Sequence, residues 1–569
     1  MLRLLPAALI LQAILSPPAE GQGTALPSPS EEVRAVWLAT APGLDWPSST
    51  DREAQQESLR TFVAALRRAH FNTIFFQVRS RGDAFYRSVY EPWAESLTGT
   101  LGADPGWDPL AFLLHEAHAS GLELHAWFNV YKVRGPSNRI PSTLPPHPAR
   151  AHPSWVVEAE GEGWLDPGLP EVRRYLLGVA LDLVRNYDLD GIHFDYIRYP
   201  GRDFPDESTY RRYGRGQDRG AWRRGNINAF VREFYDSAAA LRPRLKVGSA
   251  PMGVFSNGNG KGAWGAFHSY YQDARGWLRS GKHDYLVPQI YWDIGATNAD
   301  PDFALLAREW GREAGGRHVY AGIGAYKPAV LAEIPRQIDI AREAGLLGQS
   351  FFRYEHIRNT AVLGGRYAAP AAIPPMPWKD SIPPLPPAVL AAEEISAGIF
   401  RLSWHAPPPG RDGEPPASYT LFRRSSRQGD IPILVACPEG EALSLTDTLP
   451  PSEALGWTWY LSARDRAGAG SAPALVSAIP GAAGDLIRTM ERQPSLALLG
   501  SARVACRIPA RASLSLEVLR LGGTSRVLME GEYEAGTYVL PLDPAPRGSG
   551  EYAVRLRALD AVLVRPLPF

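Results

Sequence analysis

Between Val33 and Gly364, short runs rich in β-branched and aromatic residues alternate with longer segments whose apolar positions recur every three to four residues. The short runs read as strands over Val33–Thr40, Asn72–Arg79, Leu122–Tyr131, Gly191–Tyr199, Lys246–Pro251, Asp284–Asp293, His318–Tyr326 and Leu347–Glu355. The longer segments predict helices over Asp51–His70, Asp108–Gly121, Pro170–Asn186, Asn226–Leu241, Asp302–Gly315 and Ala329–Gly345. Gly121 and Gly345 each end a helix and lead straight into the next strand, as a helix C-cap feeding a short connection does. Strand–helix alternation of this kind needs a parallel sheet, and eight units fit a closed (β/α)8 TIM barrel of the α/β class over residues 31–365. An open doubly wound sheet would carry a glycine-rich phosphate turn after its first strand, and Ala39-Thr40-Ala41-Pro42 is not one.

The texture changes at both ends. Residues 1–21 combine a basic start, an apolar run from Leu4 to Leu15 and small residues near Gly21, the pattern of a secretory signal peptide. The chain is therefore expected to be secreted, or held in the periplasm or cell envelope. Residues 366–388 are Pro-rich and read as a semi-rigid linker. Residues 389–481 carry short alternating strands, with Trp404 in an early one, and resemble a fibronectin type III domain; residues 486–569 resemble an Ig-like module. These two small all-β sandwiches show no catalytic cluster and are expected to space the barrel, contact glycan, or associate with the cell envelope.

Charge narrows the partners. Lys plus Arg and Asp plus Glu both total 60, so the basic excess that a nucleic-acid or anionic-lipid partner calls for is missing. After residue 21 no segment is apolar enough to span a membrane. The two cysteines, Cys437 and Cys506, fall in different predicted domains and are not expected to pair. No metal and no cofactor is expected. His115 and His118 are three apart rather than four, so they miss the spacing of a zinc helix. Gly253–Gly262 lacks phosphate-loop spacing and reads as a mobile loop, and the basic residues at 211–215 and 223–224 read as a solvated loop after the fourth strand. The 16 Trp and 23 Tyr exceed what packing needs, and stacking on sugar rings is one use for them.

Function is read from the barrel mouth, where strand ends and the loops after them carry the chemistry. Alternation puts Phe75, Gln77 and Arg79 on one face of the second strand, and His125, Trp127 and Asn129 on one face of the third. It groups His193 with Asp195 on the fourth, Gln289, Tyr291 and Asp293 on the sixth, and Arg353 with Glu355 on the eighth. An interior that only packed would be Val, Ile and Leu at those positions. Glycoside hydrolysis needs two carboxyl groups about the scissile bond, one of them a proton donor. Asp195 is the first candidate; Asp293, Glu355 and Asp83 are candidates for its partner, and Asp83 and Trp127 also for substrate contact. A nucleophile elbow G-x-S-x-G is missing from the barrel.

The stretch GWDPLAFLLHEAHASGLELHAWFNVY at Gly106–Tyr131 adds a resemblance, together with Gly82–Tyr86, Glu91-Pro92-Trp93, DGIHFDYIRYP at Asp190–Pro200 and PQIYWD at Pro288–Asp293. These motifs resemble the glycosyl-hydrolase-like 10 family over the whole barrel. The resemblance implies a glycosidase acting on a bacterial hexosamine polysaccharide such as peptidoglycan strands stripped of peptide, with Asp195 in the central role. It further implies substrate contacts from Arg79, His125, Asn129, His193, Tyr199, Gln289, Tyr291 and Trp292. The chain departs from the common family pattern at Tyr196, where many members read Asp, and at Val130 and Lys132. The rival expectation is a glycan-binding barrel that keeps a sugar-contacting rim without turnover.

Overall fold

The computed structural model describes residues 29–478, apart from 137–139, 258–263, 296–300, 426–432, 439, 441 and 450–456, and then the strands between 495 and 566. The expected signal peptide at residues 1–21 lies outside the described residues.

Eight parallel strands close a barrel. In ring order they are Val33–Leu38, Thr73–Arg79, Glu123–Asn129, Gly191–Asp195, Lys246–Ser249, Tyr285–Leu286, a seventh in two pieces, and Gly348–Phe351. The seventh strand pairs with the sixth through His318–Val319 and with the eighth through Ala321–Ile323, and the eighth pairs with the first, so the ring is complete. Several observed strands are shorter than the hydrophobic runs suggest, for local reasons. The fourth ends at Asp195 because Tyr196 turns into left-handed backbone at φ +50°. Pro288, which has no N–H to give, interrupts the sixth, leaving Gln289 as a single bridge to Met252 and Gly322.

The helices begin where their caps predict. Asp51, Asp108, Asp218 and Asp302 each accept a hydrogen bond from the backbone N–H three residues on, at 2.7–3.0 Å. The Asp218 cap starts the helix Arg219–Leu241 seven residues earlier than the apolar pattern indicates. Arg223 therefore lies in a helix rather than a solvated loop, buried and paired with Asp206 at 2.7 Å. A three-stranded antiparallel insert, Lys132–Arg134, Glu162–Leu165 and Val156–Ala159, follows the third barrel strand and has no counterpart in the sequence reading.

Beyond the barrel, a three-stranded sheet (Ala388–Ser396, Ile399–His405, Ser444–Thr448) faces a four-stranded one (Ile433–Ala436, Ser418–Ser425, Trp457–Arg464, Ala474–Ala478), and Trp404 and Trp459 share the core between them. The strands after Ser495 form another pair of three- and four-stranded sheets. Cys437 and Cys506 are unpaired thiols. The Pro-rich stretch is more than a spacer. Met376, 1% exposed, inserts into the inner barrel cluster of Val33, Trp37, Tyr285 and Tyr320, and the His318 ring meets the Pro375 carbonyl at 3.1 Å. Trp378 and Lys379 reach the buried Asp284 at 2.9 and 2.8 Å. The stretch stoppers the N-terminal end of the barrel and ties it to the first sandwich, where Met376 N–H donates to the Ala467 carbonyl and Arg466 pairs with Asp188.

Candidate active site

The floor of the barrel mouth is a layer of rings on inward-facing strand positions. His193 stacks on Phe75 with centroids 4.1 Å apart, and Trp37 Nε1–H donates to His193 Nε2 at 3.0 Å. Burial holds the His193 imidazole well below the usual histidine range, so it is neutral and carries its proton on Nδ1, facing the Tyr285 hydroxyl at 3.2 Å. Tyr285 then donates to His125 Nδ1 at 2.7 Å, and His125 Nε2 faces Glu123 at 3.3 Å. Glycine makes room for two of these rings. A Cβ on Gly191 would lie 2.4 Å from the His125 ring, and one on Gly248 would lie 2.3 Å from that of Tyr285.

Above this floor opens a cleft of about 380 Å³. Asp195, at the end of the fourth strand, is the one carboxylate among the described residues that line it. Its Oδ1 accepts from the Tyr196 N–H at 2.7 Å and, more distantly, from the Gln289 amide at 3.4 Å. Burial raises its pKa to about 6, against the pull of those hydrogen bonds and of the Arg198 and Lys132 charges. Trp127, Tyr291, Tyr326 and Phe352 supply aromatic walls, with Tyr291 stacked on Phe352 at 5.8 Å and Tyr326 set edge-on to both. Gln77 closes another side, its amide oxygen accepting from Thr40 and Ala41 N–H at 2.9 and 2.7 Å. A half-buried acid poised near neutrality beside flat rings is a proton donor set in a sugar-sized trough.

The residues singled out from the sequence divide into those at the cleft and those elsewhere. Asp195, Trp127, Asn129, Gln289 and Tyr291 line it. His125 and His193 lie beneath it, in the ring layer, where each is enclosed by protein partners. Arg79 is turned away. The register between the second and third strands slips between Gln77 and Arg79, so a bulge flips the side chain to the outer face beside Phe128. There it forms a buried bidentate pair with Glu91 at 2.7 Å and donates to the Asn129 and Val130 carbonyls. Tyr199 is likewise interior, accepting from Asn226 at 3.1 Å. Asp83 accepts from the Arg81 N–H at 2.8 Å in the loop after the second strand and does not line the cleft.

The proposed partner carboxylates are also outside. Inward parity on the eighth strand runs through Gly348, Ser350 and Phe352, one residue out of step with the expected Arg353 and Glu355. Glu355 falls on a short helix, Tyr354–Ile357, and pairs with Arg358 at the surface. Asp293 and Trp292 follow the point where the sixth strand has dissolved into irregular backbone, and neither lines the cleft. Conversely, Arg81, Lys132, Arg198, Tyr326 and Phe352 line it without having been expected there. Phe352 was readable from alternation with the right register. Lys132 sits at one of the places where the chain departs from the family pattern, which was a signal in itself, and Arg198 lies two residues past another, Tyr196.

A closed (β/α)8 barrel with this acid-bearing, aromatic-walled mouth defines a barrel glycoside hydrolase. The matching family model, described as Glycosyl hydrolase-like 10, covers residues 32–336, and the chain belongs to that family. It is similar to Glycosyl hydrolase YngK of Bacillus subtilis (strain 168), at 32% identity over 471 residues covering 76% of this chain and 91% of that protein. It is also similar to Glycosyl hydrolase DigH of Escherichia coli (strain K12), at 34% identity over 346 residues covering 56% and 78%. Among solved structures, alpha-L-fucosidase isoenzyme 2 from Paenibacillus thiaminolyticus overlaps it loosely, with a TM-score of 0.42 at 12% identity over 90% of this chain and 99% of that one.

Proposed function

We propose that this glycoside hydrolase is exported and cleaves a hexosamine polysaccharide of the bacterial cell envelope, with Asp195 as the proton donor and the substrate's own acetamido group as its partner. The observation that carries this reading is that Asp195 stands as the one carboxylate among the described cleft-lining residues, with its pKa raised to about 6. A two-carboxylate mechanism needs a second such group across the scissile bond. A 2-acetamido sugar brings a nucleophile of its own. Protonated Asp195 gives its proton to the glycosidic oxygen while the acetamido carbonyl oxygen attacks the anomeric carbon and the leaving sugar departs. Water then opens the cyclic intermediate at the same carbon and returns a proton to the Asp195 carboxylate, with net retention of configuration. Trp127 and Tyr291 offer stacking faces to the sugar, and the Gln289 amide steadies the carboxylate. The two sandwiches contribute none of the described cleft-lining residues, which fits a spacing or anchoring role.

The test incubates the mature protein and Asp195→Asn with peptide-free peptidoglycan strands, with N-acetylated chitin oligomers and with the same oligomers deacetylated, and reads products by mass spectrometry. Cleavage by the native protein alone, confined to N-acetylated substrates, is the expected result. Equal cleavage by both proteins removes Asp195 from its role, and cleavage of deacetylated oligomers removes the acetamido group. Binding without cleavage by either protein leaves the rival reading, a glycan-binding barrel.

A further inference from the structure

Arg198, like the half-buried Arg224 on the Phe267 ring, is an exception among the barrel's enclosed arginines, and it alone of the two lines the cleft. Arg34, Arg79, Arg223, Arg342 and Arg366 each meet a carboxylate at 2.7–2.9 Å. Arg198 is half-buried in the wall of the cleft, and among the described residues it forms no ion pair. Among those residues it donates only to the carbonyls of Tyr199 and Pro200, at 3.3 and 3.5 Å, and its guanidinium rests on the rings of Tyr270, Tyr196 and Trp164 at 4.8–5.4 Å. Those rings hold the fork in place without neutralising it. Enclosing a guanidinium without a counter-ion is costly, and its planar donors match a carboxylate in two-pronged fashion.

Its surroundings add to the excess. Lys132 lies against the Tyr196 ring at 4.7 Å and Arg81 also lines the cleft, but both share a single carboxylate, Glu162, at 2.6 and 3.7 Å. Three cations therefore face two carboxylates, Glu162 and Asp195, and burial pushes the second toward its neutral form. The chain as a whole is balanced at 60 against 60, so this positive wall is local to the cleft.

Resting on the glycosidase reading above, we infer that Arg198, backed by Lys132, binds a carboxylate carried by the sugar next to the scissile bond and so selects acidic glycans over neutral ones. A hydroxyl in that place leaves the guanidinium charge unmatched, whereas a carboxylate satisfies two of its N–H groups at once.

The experiment compares one glycan in two forms: peptide-free peptidoglycan oligomers, which carry carboxylates, and the same oligomers after carbodiimide activation and borohydride reduction of those groups to alcohols. Affinity is measured by calorimetry on Asp195→Asn protein, which needs no turnover, and kcat/KM on the otherwise native protein. Each is repeated with Arg198→Gln and with Arg198→Lys. The native protein should prefer the carboxylate form by roughly ten- to a hundredfold, mostly through affinity. Arg198→Gln should bring that ratio close to one, and Arg198→Lys should restore part of it. Equal affinity of the Arg198 protein for the two forms overturns the inference. So does an Arg198→Gln variant that weakens both forms alike, because that marks a packing role. Preferential binding without cleavage supports the inference while sinking the mechanism proposed for Asp195.

Discussion

The backbone N–H of Tyr196 donates to the Asp195 carboxylate at 2.7 Å from a left-handed conformation, φ +50°. A tyrosine in that region is strained, and strain of this kind persists where surrounding structure over-determines it. Here the cationic heads of Lys132 and Arg198 lie 4.7 and 5.3 Å from the Tyr196 ring, so the turn that aims the acid also helps place two of the cleft's charges.

The first consequence is a pH profile. The Asp195 carboxyl must be protonated to donate, and burial sets its pKa at about 6. Activity should therefore hold below that value and fall as pH rises through it. A profile of kcat/KM against pH that stays flat from pH 5 to 8 would contradict this assignment.

The same shift affects stability. An aspartate titrates near pH 4 in an unfolded chain, whereas the folded value here is about 6. The folded state thus favours the protonated form, and the stability this confers is complete below about pH 4 and lost as pH rises through 6. Asp195→Asn keeps the acceptor for the Tyr196 N–H and removes the charge. It should raise stability by about 1–3 kcal/mol at pH 7–8, with the gain shrinking to nothing near pH 4. Thermal unfolding of both proteins across that range measures it.

Arg79 offers the opposite case, an expected substrate contact that the fold uses for support. It and Glu91 are both fully buried, and their pairing also ties down the Asn129 and Val130 carbonyls behind the cleft. Arg79→Met leaves Glu91 buried without its counter-ion and should cost about 3–5 kcal/mol. Urea denaturation reads that loss, and a variant that unfolds like the native protein but binds glycan poorly would return Arg79 to the substrate.

Periodicity read the barrel well because each strand is enclosed on both faces and several helices are announced by an aspartate cap. It read the site less well, for identifiable reasons. A bulge at the end of the second strand reversed Arg79, and a one-residue error of parity on the eighth moved attention from Phe352 to Glu355. Neither event leaves a mark on alternation, since each is fixed by pairing with a neighbouring strand. Lys132 reaches the cleft by way of an antiparallel insert too short to stand out in the sequence. Asp195 was legible because it sits at the end of a strand whose parity the two preceding inward residues, Gly191 and His193, had already set.

The Pro-rich stretch yields the last prediction. Its composition suggests a spacer that could be cut away, yet Met376 fills the inner cluster beside Trp37 and Tyr285, the layer that underlies the cleft. Asp284, itself fully buried, meets Trp378 Nε1 at 2.9 Å, Lys379 Nζ at 2.8 Å, the Tyr235 hydroxyl at 2.9 Å and the Val247 N–H at 2.8 Å. Ending the chain at residue 365 would strip two of those donors from a buried carboxylate and open the ring layer to water. Met376→Ala alone should cost about 2–5 kcal/mol, as deletion of a buried large side chain does. A protein truncated at residue 365 should melt well below the full chain, whereas one truncated at residue 482, which keeps the stopper and the first sandwich, should retain most of the barrel's stability. Equal melting temperatures for the two truncations would return the stretch to the role of a spacer.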